Sequence, residues 1–275
     1  MIKHLWFLLL LCSLAVNAQT NTKLLQKNEF SIGETLTISS DILAESRSIN
    51  IYLPDSYKTN SENTYPVIYL LDGSRDEDFI HIAGLVQFGS FSWINMLPES
   101  IVVGIANVDR QRDFTFPTQN AQDKKDIPTS GQSEKFIKFL EQELQPFISS
   151  NYRTSEVQTL IGQSLGGLLA TEILFKHPDM FDNYIIVSPS LWWNDESLLN
   201  LKPKEDTSEK SIYIAVGKEG EVMERTTREL YELLKAQNKD GSRLYFDFLE
   251  DKDHRDALHL AVYHAFEKIF KQSYD

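Results

Sequence analysis

Gly162-Gln163-Ser164-Leu165-Gly166 is the stretch whose reading decides this chain. Ahead of it, Val157-Gln158-Thr159-Leu160-Ile161 is short, β-branched and mostly apolar, as a buried strand is. Behind it, Leu168 to Phe175 has helical spacing and runs out at His177-Pro178, where proline stops a helix. A G-x-S-x-G element between a strand and a helix turns the backbone sharply. It thereby pushes a serine hydroxyl out of the fold. The flanking glycines tolerate the crowding that such a turn imposes. An ordinary glycine-rich turn with a solvated serine is the plainer alternative. The chain has only 12 glycines in 275 residues, so the strand–turn–helix context favours a nucleophile.

Outward from this turn, apolar runs alternate with helical stretches. Ser48–Leu53 alternates and reads as a half-exposed strand. Pro66–Leu71, Ile101–Ala106, Val157–Ile161, Tyr184–Val187, Ile212–Val216 and Leu244–Leu249 are nearly continuous in apolar residues. Continuous runs indicate strands buried on both faces, as in a parallel sheet covered by helices. Helices are expected over Ser133–Ser149, Leu165–Lys176, Met223–Gln237 and Leu258–Gln272. The pattern predicts an α/β fold: a mostly parallel, doubly wound central sheet flanked by helices, with an antiparallel N-terminal edge. Arg110–Gln132 and Asn194–Lys210 read as irregular loops at the strand ends where such sheets bind ligands.

The N-terminus carries Lys3, an apolar run from Leu5 to Val16, and Val16-Asn17-Ala18. This is the form of a secretory signal peptide, with cleavage expected after Ala18. Residues 19–275 then form a single domain, secreted or periplasmic. The apolar run is too short to span a bilayer comfortably, and no second run has spanning length. Lipid attachment at Cys12 would need small residues ahead of it, which are missing. Cys12 is the only cysteine, so the mature chain has no thiol nucleophile, disulfide or cysteine metal site. A net charge of −13 disfavours nucleic acid and anionic membranes as partners.

A serine hydroxyl needs a base to take its proton, and the base needs an orienting acid. After a G-x-S-x-G turn of this kind the chain order is Ser, then Asp or Glu, then His. His4 leaves with the leader, His81 precedes Ser164, and His177 lies at a helix end. His254 sits in Glu250-Asp251-Lys252-Asp253-His254, directly after the last strand, and is the expected base. His259 and His264 fall within the last helix. Their spacing does not put two imidazoles on one face, so no metal is expected there. Gly217-Lys218-Glu219-Gly220-Glu221 follows the preceding strand and offers the acid. Glu219 is preferred, with Glu221 the alternative, and Asp253 is read as structural. The oxyanion donors expected are the amide of Leu165 and that of Gly73 or Ser74.

Together Pro66–Gly73, Ile105–Asp113, Gly162–Gly167 and Ser188-Pro189-Ser190-Leu191-Trp192-Trp193 resemble the "putative esterase" family of α/β hydrolases. That family includes esterase D, feruloyl and acetylxylan esterases, mycolyltransferases and IroE-type siderophore esterases, the last group being most similar. The resemblance runs from about Glu29 to Phe270 and implies a Ser164–His254 catalytic pair. Two positions depart from it. Phe116 stands where proline is frequent, and Arg255 follows the histidine where glycine is frequent. By the same resemblance Arg110 and Arg112 border the cleft and could hold an anionic group through forked hydrogen bonds. Pairing with nearby acids is the alternative. Trp192 and Trp193 could form an aromatic wall or belong to the core.

The expectation is therefore a serine esterase of the α/β-hydrolase fold with no cofactor or metal. Its substrate is a small acyl, siderophore or carbohydrate ester. An acyltransferase using the same acyl-enzyme, or a non-catalytic ligand-binding member of the fold, are the alternatives.

Overall fold

The computed structural model describes residues 22–204, 208–237 and 243–271. The expected leader and Cys12 lie outside them. Residues 22–31, in the N-terminal unit Met1–Ser31, are exposed and form no helix or strand. All the elements below belong to the unit Ile32–Asp275.

The strands are β1 (Glu34–Ser40), β2 (Glu45–Tyr52), β3 (Tyr65–Leu70), β4 (Ile101–Ile105), β5 (Thr154–Gln163), β6 (Asn183–Val187), β7 (Ser211–Gly217) and β8 (Arg243–Leu249). They form one sheet in the order β1-β2-β4-β3-β5-β6-β7-β8. The pairs β1–β2 and β2–β4 are antiparallel and every other pair is parallel. The predicted class and its antiparallel N-terminal edge therefore describe the observed sheet. Strand β1, Glu-Thr-Leu-Thr-Ile-Ser-Ser, has no apolar run and is legible only as the partner of β2.

Alternation along the strands sends side chains to two cores. Leu160, Tyr184, Ile186 and Ile214 pack with Leu168, Leu169 and Ile173 of the helix Leu165–Lys176 on one face. Ile161, Ile185, Tyr213 and Ala215 pack on the other, with Ala261 and Phe266 of the helix Ala257–Ile269 and Ile82 and Val86 of the helix Phe79–Gly89. All these side chains are buried. Each of the leucine, isoleucine, valine and phenylalanine side chains contributes about 1.5–3 kcal/mol by leaving water.

Three segments depart from the reading of the sequence. The helix Phe79–Gly89 was not anticipated, although Phe79, Ile82, Ala83 and Val86 mark one face of it. The expected helix Ser133–Ser149 widens to a π turn at Leu140–Leu144, between Ser133–Phe139 and Gln145–Asn151. Pro146 has no amide to donate, and the coil opens just ahead of it, with the Gln145 amide reaching Leu140 O. The two expected loops also contain short helices, Arg110–Phe114, Ala121–Asp126 and Trp193–Glu196. Asn194, Asp195 and Glu196 have φ of 51°, 54° and 59°. Such a run of left-handed residues is costly and is braced at each position. The Asn194 carboxamide accepts from the Gln119 amide at 2.7 Å, Asp195 accepts from Asn120 at 2.6 Å, and Glu196 pairs with Arg225 at 2.6 Å.

Candidate active site

Ser164 follows the last residue of β5 and precedes the helix Leu165–Lys176. Its φ of 59° and ψ of −121° lie outside the regions favoured by L-residues. Such strain costs on the order of 1–3 kcal/mol and persists only where the surroundings impose it. Here they do. The Ser164 amide donates to Val187 O at 3.1 Å, and its carbonyl accepts from the amides of Leu168 at 2.9 Å and Ser190 at 3.0 Å. Gly162 is required for the same turn, because a Cβ there would lie 2.4 Å from Gly166 O. The half-buried Ser164 hydroxyl approaches Ser190 Oγ at 3.4 Å.

His254 lies between β8 and the helix Ala257–Ile269, and Glu219 lies between β7 and the helix Glu221–Gln237. The two meet at 2.5 Å through His254 Nδ1 and Glu219 Oε2. An ionised carboxylate only accepts, so Nδ1 carries the proton and Nε2 is left as the basic nitrogen. The Glu219 side chain is 2% exposed and the His254 side chain 43%. Glu219 Oε1 accepts from the Ser188 hydroxyl and from the Gly217 amide. Burial by itself pushes the Glu219 carboxyl up. The hydrogen bonds from His254, Ser188 and Gly217 outweigh burial and hold it below its ordinary value. Glu221, the alternative acid, is the exposed first residue of its helix, and among the described residues the His254 ring is hydrogen-bonded to Glu219 instead. Glu224 instead caps that turn, accepting from the amides of Glu219 and Gly220.

A further contact joins the turn that carries Ser164 to the loop that carries His254. Gln163 Nε2 donates to the carbonyl of His254 at 2.7 Å. Of the two oxyanion donors considered after β3, Gly73 is excluded, because its amide is already committed to Ile105 O at 3.0 Å. The amide of Ser74, and that of Leu165 at the helix N-terminus, have no acceptor among the described residues.

The residues expected to bind substrate divide sharply. Arg112 is a correction. It is locked to Glu45 at 2.6 and 3.0 Å and to Asp113 at 2.7 Å, because both carboxylates sit where its fork reaches. Trp193 is likewise a core residue, fully buried with its indole N–H on Phe116 O at 2.9 Å. Trp192 stands edge-on to it and keeps part of its surface open. Arg110 spends its fork on Asp72, at 2.6 and 2.9 Å, and reaches Gln163 O at 3.3 Å. Arg255 is exposed and paired with Asp253.

The model of the "putative esterase" family matches residues 40–266. The chain belongs to this family and is an esterase. It is 30% identical over 261 residues to the ferri-bacillibactin esterase BesA of Bacillus subtilis, covering 86% of this chain and 90% of that protein. An IroE-like serine hydrolase from Shewanella oneidensis superposes with a TM-score of 0.76 at 28% identity, over 87% of this esterase and 80% of that chain. The BES protein from Bacillus cereus gives the same TM-score and identity over 90% and 98%. These relatives place the esterase among carboxylic ester hydrolases with an α/β-hydrolase fold.

Sequence reasoning missed several groups that build the site. Ser188 and Ser190 lie at the end of β6, where the polar Ser-Pro-Ser break after an apolar run is the signal. Asp72, at φ 55°, takes both Arg110 and the Asn107 carboxamide. Among the described residues no cluster of three or more His, Cys, Asp or Glu could hold a metal ion. None of their helices is long and apolar enough to cross a membrane.

Proposed function

We propose that this esterase works through a Ser164–His254–Glu219 triad and an acyl-enzyme. His254 Nε2 takes the Ser164 proton while Oγ attacks the ester carbonyl carbon. The carbonyl oxygen becomes an oxyanion held by the amides of Leu165 and Ser74. Collapse of the tetrahedral intermediate breaks the bond to the alcohol oxygen, which leaves with the proton from Nε2. A water, deprotonated by the same nitrogen, then releases the acid and regenerates Ser164.

The observation that carries this reading is the Glu219–His254 hydrogen bond at 2.5 Å, with the base residue tied to the residue beside Ser164. Helix position adds to it, since the Leu165 amide opens a helix and faces developing negative charge. The substrate we infer is a siderophore ester, because the relatives named above include a ferri-bacillibactin esterase and an IroE-like hydrolase. We also retain the secreted or periplasmic location that the leader at 1–18 suggests.

The test is Ser164→Ala, assayed on a p-nitrophenyl ester and on a ferric trilactone siderophore, with fluorophosphonate labelling of the purified protein. Labelling of the wild type alone, with loss of both activities in the variant, is expected. Wild-type turnover by Ser164→Ala removes the nucleophile from the mechanism. Turnover of the simple ester without the trilactone removes only the substrate class.

A further inference from the structure

We infer that Gln163 is a positioning residue, whose side-chain amide holds the base loop in register with the nucleophile. The inference rests on the reading of Ser164 and His254 as nucleophile and base. Strand β8, which delivers His254, stands three places from β5, which delivers Ser164. At about 4.8 Å per strand spacing the loop crosses roughly 14 Å to return to the serine.

Most of its anchors are on the acid side. Lys252 O accepts from the Lys218 amide at 2.6 Å, and His254 Nδ1 meets Glu219 at 2.5 Å. The remaining hydrogen bonds stay within the loop, as between Lys252 and Asp256 at 3.1 Å and between Arg255 and Asp253, or tie it to its own flanking strand and helix, through Lys252 N to Leu249 O and Ala257 N to Asp253 O. Among the described residues, the Gln163 amide to His254 O at 2.7 Å is the one hydrogen bond that joins residues 250–256 to the nucleophile turn. Gln163 is fixed from its other side, since its carbonyl accepts from Arg110, whose fork holds Asp72 two residues ahead of Ser74. One residue therefore links the loops that carry nucleophile, base and oxyanion donor. A displacement of about 1 Å between such groups costs on the order of 100-fold in rate.

The chemistry needed at position 163 is a donor aimed at a carbonyl. Gln163→Met keeps length and volume but has no donor. Gln163→Glu keeps the shape more closely still. At the pH where the base is neutral, however, it presents a carboxylate to the His254 carbonyl, acceptor against acceptor. A donor role orders the activities wild type, then Gln163→Met, then Gln163→Glu. A packing role orders Gln163→Glu at or above Gln163→Met.

The experiment measures kcat and KM on a p-nitrophenyl ester, the rate of fluorophosphonate inactivation and the melting temperature for both variants, with Ser164→Ala and His254→Ala as references. Expected are a kcat about 10- to 100-fold lower in Gln163→Met with KM nearly unchanged, a parallel fall in inactivation rate, and a further loss in Gln163→Glu. Wild-type kcat in Gln163→Met, Gln163→Glu equal to or better than Gln163→Met, or losses that only follow the unfolded fraction overturn the proposal. Full activity in Ser164→Ala or His254→Ala overturns the catalytic reading instead.

Discussion

Two clusters in this molecule use the same device, a carboxylate with only 2% of its side chain exposed, to opposite ends. At the parallel side of the sheet Glu219 holds His254, whose ring is 43% exposed. At the antiparallel edge Asp113 holds Arg47, 1% exposed, and Arg112, which also share Glu45. Arg47 is further closed in over the rings of Phe136 and Phe139, at 5.2 and 5.9 Å. A guanidinium is permanently charged and cannot take a proton from a hydroxyl, so the second cluster fastens β2 to the segment after β4. An imidazole with one nitrogen held and the other unengaged can take that proton. What separates a site from a brace is therefore the titratable, open end of the pair rather than the buried acid.

Glu219→Gln is expected to break the first cluster with the largest effect. The neutral amide no longer fixes the Nδ1–H tautomer or stabilises the imidazolium, and kcat falls on the order of 10³- to 10⁴-fold. Stability changes little, and steady-state kinetics beside a thermal melt checks both. Asp113→Ala reverses the pattern. It leaves two guanidiniums to share Glu45, and the fold loses about 3 kcal/mol or more, read by urea titration. The folded fraction keeps its wild-type kcat. A fall in kcat without loss of stability in Asp113→Ala would place that cluster in the chemistry and undo the contrast.

The contrast also explains what was legible in the sequence. Continuous apolar runs give β3, β4, β6 and β7 because burial on both faces leaves no polar alternation, whereas β8, at the edge of the sheet, is only partly covered and carries Asp247 within its run. Ser164 is legible because its turn needs glycine at 162 for close approach to Gly166. Order along the chain leaves His254, His259 and His264 as candidate bases, position between strand and helix favours His254, and the candidate acid falls within Gly217–Glu221. The choice between Glu219 and Glu221 depends on where a helix starts, which Glu224 decides by capping the amides of Glu219 and Gly220. Arg110 and Arg112 lie between two aspartates in one short segment, and only tertiary structure tells which partner each finds. Arg112 turns to Glu45, 67 positions away, and no local pattern reports that distance.

Gly217→Ala sharpens the comparison from inside the active site. A Cβ at 217 would lie 2.6 Å from Lys252 O, a main-chain atom of the base loop. The loop must shift, and it carries His254. A fall in kcat of roughly 10- to 100-fold is expected for a displacement of this size, with KM little altered. Fluorophosphonate inactivation should slow in proportion. The equivalent insult at the antiparallel edge would cost stability alone. Unchanged inactivation kinetics in Gly217→Ala would mean that the acid and base loops are not coupled through this contact.

Asp78 supplies the smallest and most diagnostic test, because among the described residues it is a partly shielded carboxylate without the close hydrogen-bonded partner that Glu219 and Asp113 each have. Burial raises it to about 6, and the neighbouring carboxylates Asp72 and Glu77 add to the rise against the smaller opposing pull of His81 and Arg110. His259 Nε2 stands 3.9 Å away, but burial and the adjacent His81 hold that imidazole toward its neutral form. The sign follows from linkage. A carboxyl whose folded pKa is raised stabilises the fold fully below its unfolded value, near 3.8, and loses that contribution as pH climbs to about 6. Above that the folded protein carries the cost of an ionised, partly buried Asp78. Asp78→Asn removes the cost, so the variant should be more stable than wild type by about 1–2 kcal/mol at pH 7, after allowing for partial solvent screening. The gain should shrink toward zero near pH 4, and paired urea titrations from pH 4 to 8 read it directly. A gain that does not vary with pH would assign it to packing. A loss at pH 7 would mean that the pull of Arg110 and His81 on the ionised carboxylate outweighs its burial.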